Sequence, residues 1–208
     1  MTPTNPNRRA EIIDAAERRF IAQGYLRTSV AEIISDAGIA KGTFYHYFPS
    51  KESLMLAIID KNVNYITTSV EEVVSDSTIP PMDKFFLLFS GDFTFSPEAE
   101  AISVELTQGG NELMHMWAID ATVKALIPPI TRLFEELADT GHIDCPNPES
   151  AASALLIIAQ TFDRDLLGWF TNRNINALHG IIDIWERIIG APTGTLKPIA
   201  DKITSTQS

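Results

Sequence analysis

One segment of the chain, residues 28–51, constrains the fold more than any other. Ser29 and Glu32 have the spacing of a capping box, in which a hydroxyl and a carboxylate satisfy backbone N–H groups at the start of a helix. Gly38 allows the backbone to turn sharply, and a second short helix is predicted to follow it. Two short helices joined by a glycine-containing turn are typical of a helix-turn-helix unit.

The second short helix has two chemically different faces. Phe44 and Phe48 are four residues apart, so they are predicted to pack together against the preceding helices. An aromatic core does not explain the polar and basic residues on the other face, which in a helix-turn-helix unit meets the DNA major groove. Lysines neutralise phosphates, glycine permits a close approach of the backbone, and hydroxyl or ring groups contact phosphates or base edges. The residues predicted to contact DNA are Thr28, Ser29, Lys41, Gly42, Thr43, Tyr45, His46, Tyr47 and Lys51.

The segment and the residues before it resemble the DNA-binding domain of the tetracycline-repressor (TetR) family of bacterial transcriptional regulators. The matching positions are 12–16, Phe20, Gly24, 28–30, 37–39, 41–48 and 50–52. The resemblance covers about a quarter of the chain and implies a three-helix DNA-binding domain at the N-terminus. Two residues depart from the family pattern: Arg19 replaces a leucine, and Ala40 replaces a serine that would cap the second short helix.

The net charge of −11 is distributed unevenly along the chain. Residues 1–52 carry a net charge of +1, and residues 53–208 carry −12. Because phosphate attraction is screened within about 8 Å at physiological salt, the local charge matters more than the total. The sequence predicts a DNA-binding domain at 1–52 and a larger helical domain at 53–208, which the resemblance implies binds an effector and dimerises.

Helical periodicity extends over the rest of the chain, with no alternating strand pattern, so we expect an all-α protein of about nine helices. Pro128 and Pro129 are predicted to kink or break one long helix, because proline removes a helical hydrogen bond. The chain beyond Pro192 is predicted to fray. Helix caps are expected at Asn5, Ser50, Ser96, Asn111 and Asn147.

The last two helices, about 149–170 and 174–189, each carry a wide apolar stripe. Burial within the monomer accounts for part of both stripes. In TetR-like proteins the two C-terminal helices pair with their copies in a four-helix bundle, and the resemblance implies the same homodimer here. The residues predicted at the dimer interface are Leu155, Ala159, Phe162, Leu166, Leu178, Ile181, Ile182, Trp185 and Ile189.

The middle helices are rich in aromatic residues and methionine, which line apolar ligand pockets as well as ordinary cores. Under the resemblance, a small-molecule effector of unknown identity would bind among them. The candidate ligand-binding residues are Phe86, Phe89, Phe93, Met114, Trp117, Phe134 and Phe162.

The sequence favours a ligand-responsive repressor that binds a pseudo-palindromic operator on double-stranded DNA. A TetR-like activator or a ligand-independent DNA binder remains open, and a helical-bundle enzyme is a remote alternative. The enzyme alternative rests on Glu112 and His115, whose spacing occurs in di-iron bundles, but the chain has no second Glu-x-x-His pair. We therefore expect no catalytic residues, metal or cofactor. The single cysteine, Cys145, and the absence of a long apolar run predict a cytoplasmic protein without a disulfide, and the resemblance implies a bacterial one.

Overall fold

A computed structural model describes residues 6–90, 96–107, 110–163 and 175–206 of the chain. Within these ranges the protein contains ten α-helices and no strand, so the all-α prediction is confirmed. None of these helices is long and apolar enough to cross a membrane. The helices are α1 (Pro6–Gln23), α2 (Val30–Asp36), α3 (Lys41–Tyr47), α4 (Lys51–Ser75), α5 (Pro81–Phe89), α6 (Pro97–Thr107), α7 (Glu112–Asp139), α8 (Pro148–Asp163), α9 (Ile175–Ile189) and α10 (Lys197–Thr206).

Most helices begin where the sequence predicts. The Ser50 hydroxyl accepts a hydrogen bond from the backbone N–H of Ser53 at 3.1 Å, at the start of α4. Ser96 and Asn147 accept equivalent bonds at the starts of α6 and α8. These side chains satisfy backbone N–H groups that the first turn of a helix leaves without a partner. The predicted cap Asn5 lies outside the described residues.

The cap predicted at Asn111 is wrong. Its side-chain oxygen is buried and accepts no hydrogen bond, although it precedes α7. Its amide nitrogen instead donates to the backbone carbonyl of Glu105 at 2.9 Å. The Asn111 side chain thus joins the ends of two helices.

Two further helix predictions need correction. Pro128 and Pro129 do not break α7, which continues through both residues to Asp139, while a kink at this pair stays a prediction. Buried side chains on both sides of the pair, such as Val123 and Leu133, hold the helix together despite the missing N–H donors. The chain beyond Pro192 is also more regular than predicted, because α10 begins at Lys197.

The chain forms two compact units. The first comprises residues 1–65 and 95–121, and the second comprises 66–94 and 122–208. The first unit therefore contains α1–α3 together with α6, a helix that packs against α1. The predicted domain boundary after residue 52 remains a sequence-based expectation.

The core of the first unit fixes the three N-terminal helices on one another. Each of these helices contributes at least one side chain with no exposed surface: Ile12 and Phe20 from α1, Ile33 from α2 and Phe44 from α3. Fully burying one such side chain stabilises a protein by roughly 1.5–3 kcal/mol. The second unit has its own aromatic core, in which Phe85 and Phe134 are fully buried.

Candidate functional site

The helix α2 is held at its start by the capping box that the sequence predicts. The Glu32 N–H donates to the Ser29 hydroxyl at 3.3 Å, and the Ser29 N–H donates to the Glu32 carboxylate at 2.8 Å. Two hydrogen bonds to the Glu32 carboxylate, the larger effect from the Ser29 backbone N–H and the next from the Ser29 hydroxyl, lower the pKa of Glu32 to about 2. The arrangement fixes where α2 begins.

An ion pair holds the other end of α2 against α1. The Arg19 guanidinium donates two hydrogen bonds of 2.6 Å to the Asp36 carboxylate. This pairing raises the pKa of Arg19 and lowers that of Asp36, in each case mainly through the hydrogen bond between them. The unusual arginine on the first helix therefore has a specific partner, which sequence reasoning missed because that partner lies on another helix.

The turn between α2 and α3 depends on Gly38, whose φ of +60° suits glycine. The N-cap residue Ala40 makes no side-chain capping bond, as the sequence predicts. Phe44 and Phe48 are 0% and 2% exposed, so their predicted role in the core is confirmed. Their rings lie 6.1 Å apart and orient the rest of α3 outwards.

The outer face of α3 is polar and open. Lys41, Gly42, Tyr45 and His46 are exposed, while Thr43 and Tyr47 are half-buried. Tyr45 is 46% exposed, a large fraction for an aromatic side chain. The Lys41 ammonium lies 6.0 Å from the Tyr45 ring, and the rings of His46 and Tyr47 are 5.1 Å apart. Charged, hydroxyl and ring groups therefore cover one continuous helix face, suited to phosphates and base edges.

Two further basic residues lie outside the predicted set of DNA contacts. The Arg9 guanidinium is 5.3 Å from the ring of Phe48, at the C-terminal end of α3. Arg27 is exposed in the loop immediately before α2. Their signal in the sequence was weak because arginines are common on solvated surfaces of any helical protein.

Lys51 requires correction, because its ammonium group is used inside the protein. Nζ donates hydrogen bonds to the backbone carbonyls of Tyr25, at 2.8 Å, and Thr28, at 2.9 Å. It also lies 4.3 Å from the Tyr25 ring. Burial lowers the pKa of Lys51, and the neighbouring charge of Glu52 opposes that shift. We assign Lys51 to the support of the α1–α2 loop and not to a phosphate.

Thr28 also requires correction, and Ser29 has a structural role. Thr28 is only 2% exposed, and its hydroxyl donates to the backbone carbonyl of Gly24 at 2.8 Å. Ser29 is exposed, but its hydroxyl donates to the Glu32 carboxylate at 2.7 Å. Thr28 is therefore part of the core, whereas a DNA contact of Ser29 stays a prediction.

The candidate effector residues are distributed over both units. In the second unit the Phe89 ring stacks on Phe85 at 4.7 Å and meets the Trp185 ring at 5.8 Å, while Phe134 is fully buried. Phe86 is half-buried there. In the first unit Met114 is 7% exposed, whereas Trp117 is 41% exposed and so does not line an enclosed pocket. The side chains of Phe93 and Phe162 lie outside the described residues.

The predicted dimer residues are mostly core residues, which is a correction. Buried side chains cannot meet a second copy, and Ala159 alone of the described set is half-buried. The apolar stripes of these two helices therefore pack between α8, α9 and neighbouring helices within one chain. Leu166 and the side chains of Phe162 and Leu178 lie outside the described residues. The buried residues are Leu155, Ile181, Ile182, Trp185 and Ile189.

The same two helices also carry exposed apolar side chains. Ile157 on α8 is 59% exposed, and Ile184 on α9 is 47% exposed. Gly180, one turn before Ile184, is exposed as well, and a Cβ there would meet nothing within 4 Å. Both helices thus carry an exposed apolar side chain in addition to the buried residues that the sequence predicts at the interface.

The remote enzyme alternative gains no support from Glu112 and His115. The Glu112 carboxylate is exposed and accepts a hydrogen bond from the Gly110 N–H at 2.9 Å, whereas His115 is buried. Across the part of the chain that the structure describes, no group of three or more His, Cys, Asp or Glu side chains could hold a metal ion.

Known proteins are similar to this chain in the sequence of its N-terminal segment and in its fold. Residues 12–58 match the family described as bacterial regulatory proteins, tetR family. The chain is 26% identical over 119 residues to the HTH-type transcriptional regulator EthR of Mycolicibacterium smegmatis, covering 56% of this chain and 55% of that protein. It is 30% identical over 93 residues to the HTH-type transcriptional repressor KstR2 of the same organism, covering 44% and 45%.

One relative aligns over more of its length. The chain is 26% identical over 168 residues to the fatty acid metabolism regulator protein of Bacillus subtilis, covering 78% of this chain and 83% of that protein. Against EthR and KstR2 the alignment spans only about half of the relative. The crystal structure of RolR without ligand superposes with a TM-score of 0.64 at 20% identity, covering 92% of this chain and 96% of that one, which shows a shared fold.

Proposed function

Because residues 12–58 match the tetR family of bacterial regulatory proteins, we propose that the chain is a transcriptional repressor of this family whose α3 reads an operator on double-stranded DNA. The observation that carries this proposal is the division of α3 into a buried side, formed by Phe44 and Phe48, and an open polar side. The relative KstR2 is named as a repressor, which supports repression over activation.

The contacts follow from the exposure of each side chain. Thr43 and Tyr45 project from the middle of α3 and read base edges or thymine methyl groups. His46 and Tyr47 hydrogen bond to phosphates. The positive charge for the phosphate backbone comes from Lys41, with Arg9 and Arg27 as additional contacts in place of Lys51.

Discrimination between DNA sequences requires two copies of α3. One short recognition helix contacts few base pairs, whereas two copies on a two-fold axis read half-sites roughly 34–36 Å apart. We place the homodimer contact on the exposed faces of α8 and α9 that carry Ile157 and Ile184, because the previously selected stripe is buried within the monomer. Exposed apolar residues of this kind are typical of interface cores.

The effector of this repressor binds in the larger helical domain. The half-buried side chains of Phe86 and Phe89 support an apolar ligand, since aromatic side chains line ligand sites between helices. Release of the operator requires that the effector binds one arrangement of the DNA-binding domains more tightly than the other.

Selection from random double-stranded DNA tests the proposal, with the full chain as bait and sequencing of the bound fraction. We expect one pseudo-palindrome with half-sites about one helical turn apart. The selected site is then placed within a reporter promoter, where co-expression of the chain lowers transcription. Higher transcription would identify an activator, and a bound fraction without any enriched sequence would contradict specific operator binding.

A further inference from the structure

A carboxylate on α6 is hydrogen bonded to the loop that precedes the helix-turn-helix. Oε1 of Glu105 accepts a hydrogen bond from the backbone N–H of Tyr25 at 2.6 Å, across 80 residues of sequence. Both residues lie in the first compact unit, where α6 packs against α1. The Asn111 amide nitrogen donates to the Glu105 carbonyl and lies 3.4 Å from Oε1, so it orients this carboxylate.

Tyr25 is fixed from several directions in addition to Glu105. It is 5% exposed, and its ring lies edge-on to Phe20 with 5.2 Å between the centroids. Its carbonyl accepts the bond from Lys51. Burial is the main cause that raises the pKa of the Tyr25 hydroxyl, which is about 12. The charge of Glu52 and a hydrogen bond with Glu52 add to this shift. A displacement of the Tyr25 backbone therefore strains bonds to the first two residues of α4.

The same loop leads directly into α2. The Lys51 ammonium bonds to the carbonyl of Thr28 as well as to that of Tyr25. Ser29, the next residue, is the N-cap of α2. Hydrogen bonds thus run from α6 through Tyr25 and Lys51 to the starts of α2 and α4, the two elements that flank α3 on the chain.

We propose that Glu105 is a positioning residue that couples α6 to the placement of the recognition helix α3. The inference rests on the proposed function and specifies one route, inside the first compact unit, by which the state of α6 affects the helix that contacts the operator. A charged acceptor suits this role because hydrogen bonds to ionised groups are shorter and stronger than those between neutral groups.

A contact between the same loop and the residue Gly110, which follows α6 on the chain, is unsuited to the same task. Leu26 packs close to Gly110, where an added Cβ would lie 2.8 Å from the Leu26 Cδ1. Leu26 is, however, 57% exposed, and an apolar contact has no preferred direction. Coupling through this pair alone would be weak.

Hydrogen exchange in the full-length protein tests the inference with operator DNA as the probe, because coupling between two sites is reciprocal. The duplex is the sequence enriched by selection. In the wild type, binding of this duplex should slow amide exchange within 97–107 by about fivefold or more, the lower end of usual allosteric coupling. Glu105→Ala should lose most of that slowing, and Glu105→Gln should lose part of it, because a neutral acceptor is weaker.

The matched control is Glu100→Ala, which removes an exposed carboxylate from the same helix and should behave as the wild type. If Glu105→Ala fails to fold by circular dichroism, Glu105→Gln decides the question. If DNA slowed amide exchange in the Glu105 variants as much as in the wild type, the coupling would be overturned. The same conclusion would follow if the wild type bound DNA without any change in amide exchange within α6. Failure to enrich any DNA sequence would instead overturn the proposed function, and the coupling with it.

Discussion

At the scale of single residues, two lysines at either end of the recognition segment have different roles. Lys41 is exposed at the start of α3, whereas Lys51 is bonded to two backbone carbonyls. Each lysine that neutralises a phosphate adds about 0.9 to the slope of log affinity against log salt. Lys41→Ala should therefore reduce the magnitude of this slope by about 1, and Lys51→Ala should leave the slope unchanged but lower the melting temperature.

Binding titrations at several salt concentrations, with thermal melts of the same variants, would measure both effects. The assignment of Lys51 would be wrong if its removal reduced the salt slope by as much as the removal of Lys41 and left the melting temperature unaltered.

The capping box makes a prediction about pH. The pKa of Glu32 is about 2 in the folded protein, below the ordinary 4.5, so the folded state favours the ionised carboxylate. Its contribution to stability is fully present above pH 4.5 and is lost as the pH falls towards 2. The difference in unfolding midpoint between wild type and Glu32→Gln should shrink over that range. Denaturation curves at successive pH values measure it, and a constant difference would contradict the account.

Sequence patterns recovered those residue roles that depend on near neighbours. The capping box of Ser29 and Glu32 and the core positions of Phe44 and Phe48 follow from spacing within one or two helical turns. The roles of Arg19 and Lys51 did not, because their partners lie 17 to 26 residues away. A lysine can donate hydrogen bonds to a DNA phosphate or to a backbone carbonyl, and the sequence alone does not distinguish the two.

At the scale of elements, the helix α10 shows how a short segment gains stability from its neighbours. Leu196, Ile199 and Ala200 are fully buried, and the Glu186 carboxylate accepts hydrogen bonds from the N–H groups of Gly194 and Leu196 at 2.9 and 2.7 Å. The sequence predicted fraying here because helical periodicity is lost beyond Pro192 and the chain ends in polar residues. A helix this short is marginal without tertiary contacts. The buried carboxylate on α9 supplies the missing anchor.

The burial of α10 predicts a large loss of stability on truncation of its core residue. Ile199→Ala should destabilise the protein by about 2–5 kcal/mol, the usual range for isoleucine in a core. Lys197→Ala, an exposed change on the same helix, should have an effect of about 0.5 kcal/mol or less. Chemical denaturation compares the two variants, and equal midpoints would mean that α10 is not docked as described.

The interrupted pattern at Pro128 and Pro129 illustrates a different limit of sequence reasoning. Proline lowers the intrinsic helix propensity by about 3 kcal/mol per residue, which favours a break. The buried residues Ile130, Leu133, Phe134 and Leu137 nevertheless continue at helical spacing after the prolines. Tertiary packing therefore outweighs the low helix propensity of the two prolines in α7. The amount of apolar surface that α7 buries is known only from the fold.

At the scale of the whole molecule, the proposed homodimer depends on surfaces that the monomer leaves exposed. A stripe of apolar residues on the sequence does not distinguish the face used inside the chain from a face used between chains. The structure separates them, since Trp185 is 4% exposed while its neighbour Ile184 is 47% exposed. Most residues predicted at the interface are therefore buried within the monomer, and the proposed dimer contact uses exposed residues of the same helices.

Charge substitutions on the two faces should accordingly have different outcomes. Ile184→Glu or Ile157→Glu is expected to give folded monomers that bind the operator weakly, whereas Trp185→Glu should unfold the second unit. Val104→Glu, at another exposed apolar position, serves as the control and should stay dimeric. Analytical ultracentrifugation with circular dichroism would resolve these states, and dimers that persist in both isoleucine variants would place the interface elsewhere.

The central claim is that the open face of α3 reads DNA sequence, and operator selectivity measures this most directly. Fluorescence anisotropy gives the affinity for the selected duplex and for a scrambled duplex of the same length. Tyr45→Ala and Thr43→Ala should each reduce the preference for the selected duplex, by about 1–3 kcal/mol for a lost base contact. Tyr65→Ala, at a tyrosine of similar exposure on α4, should not. Unchanged selectivity in both α3 variants would contradict the claim.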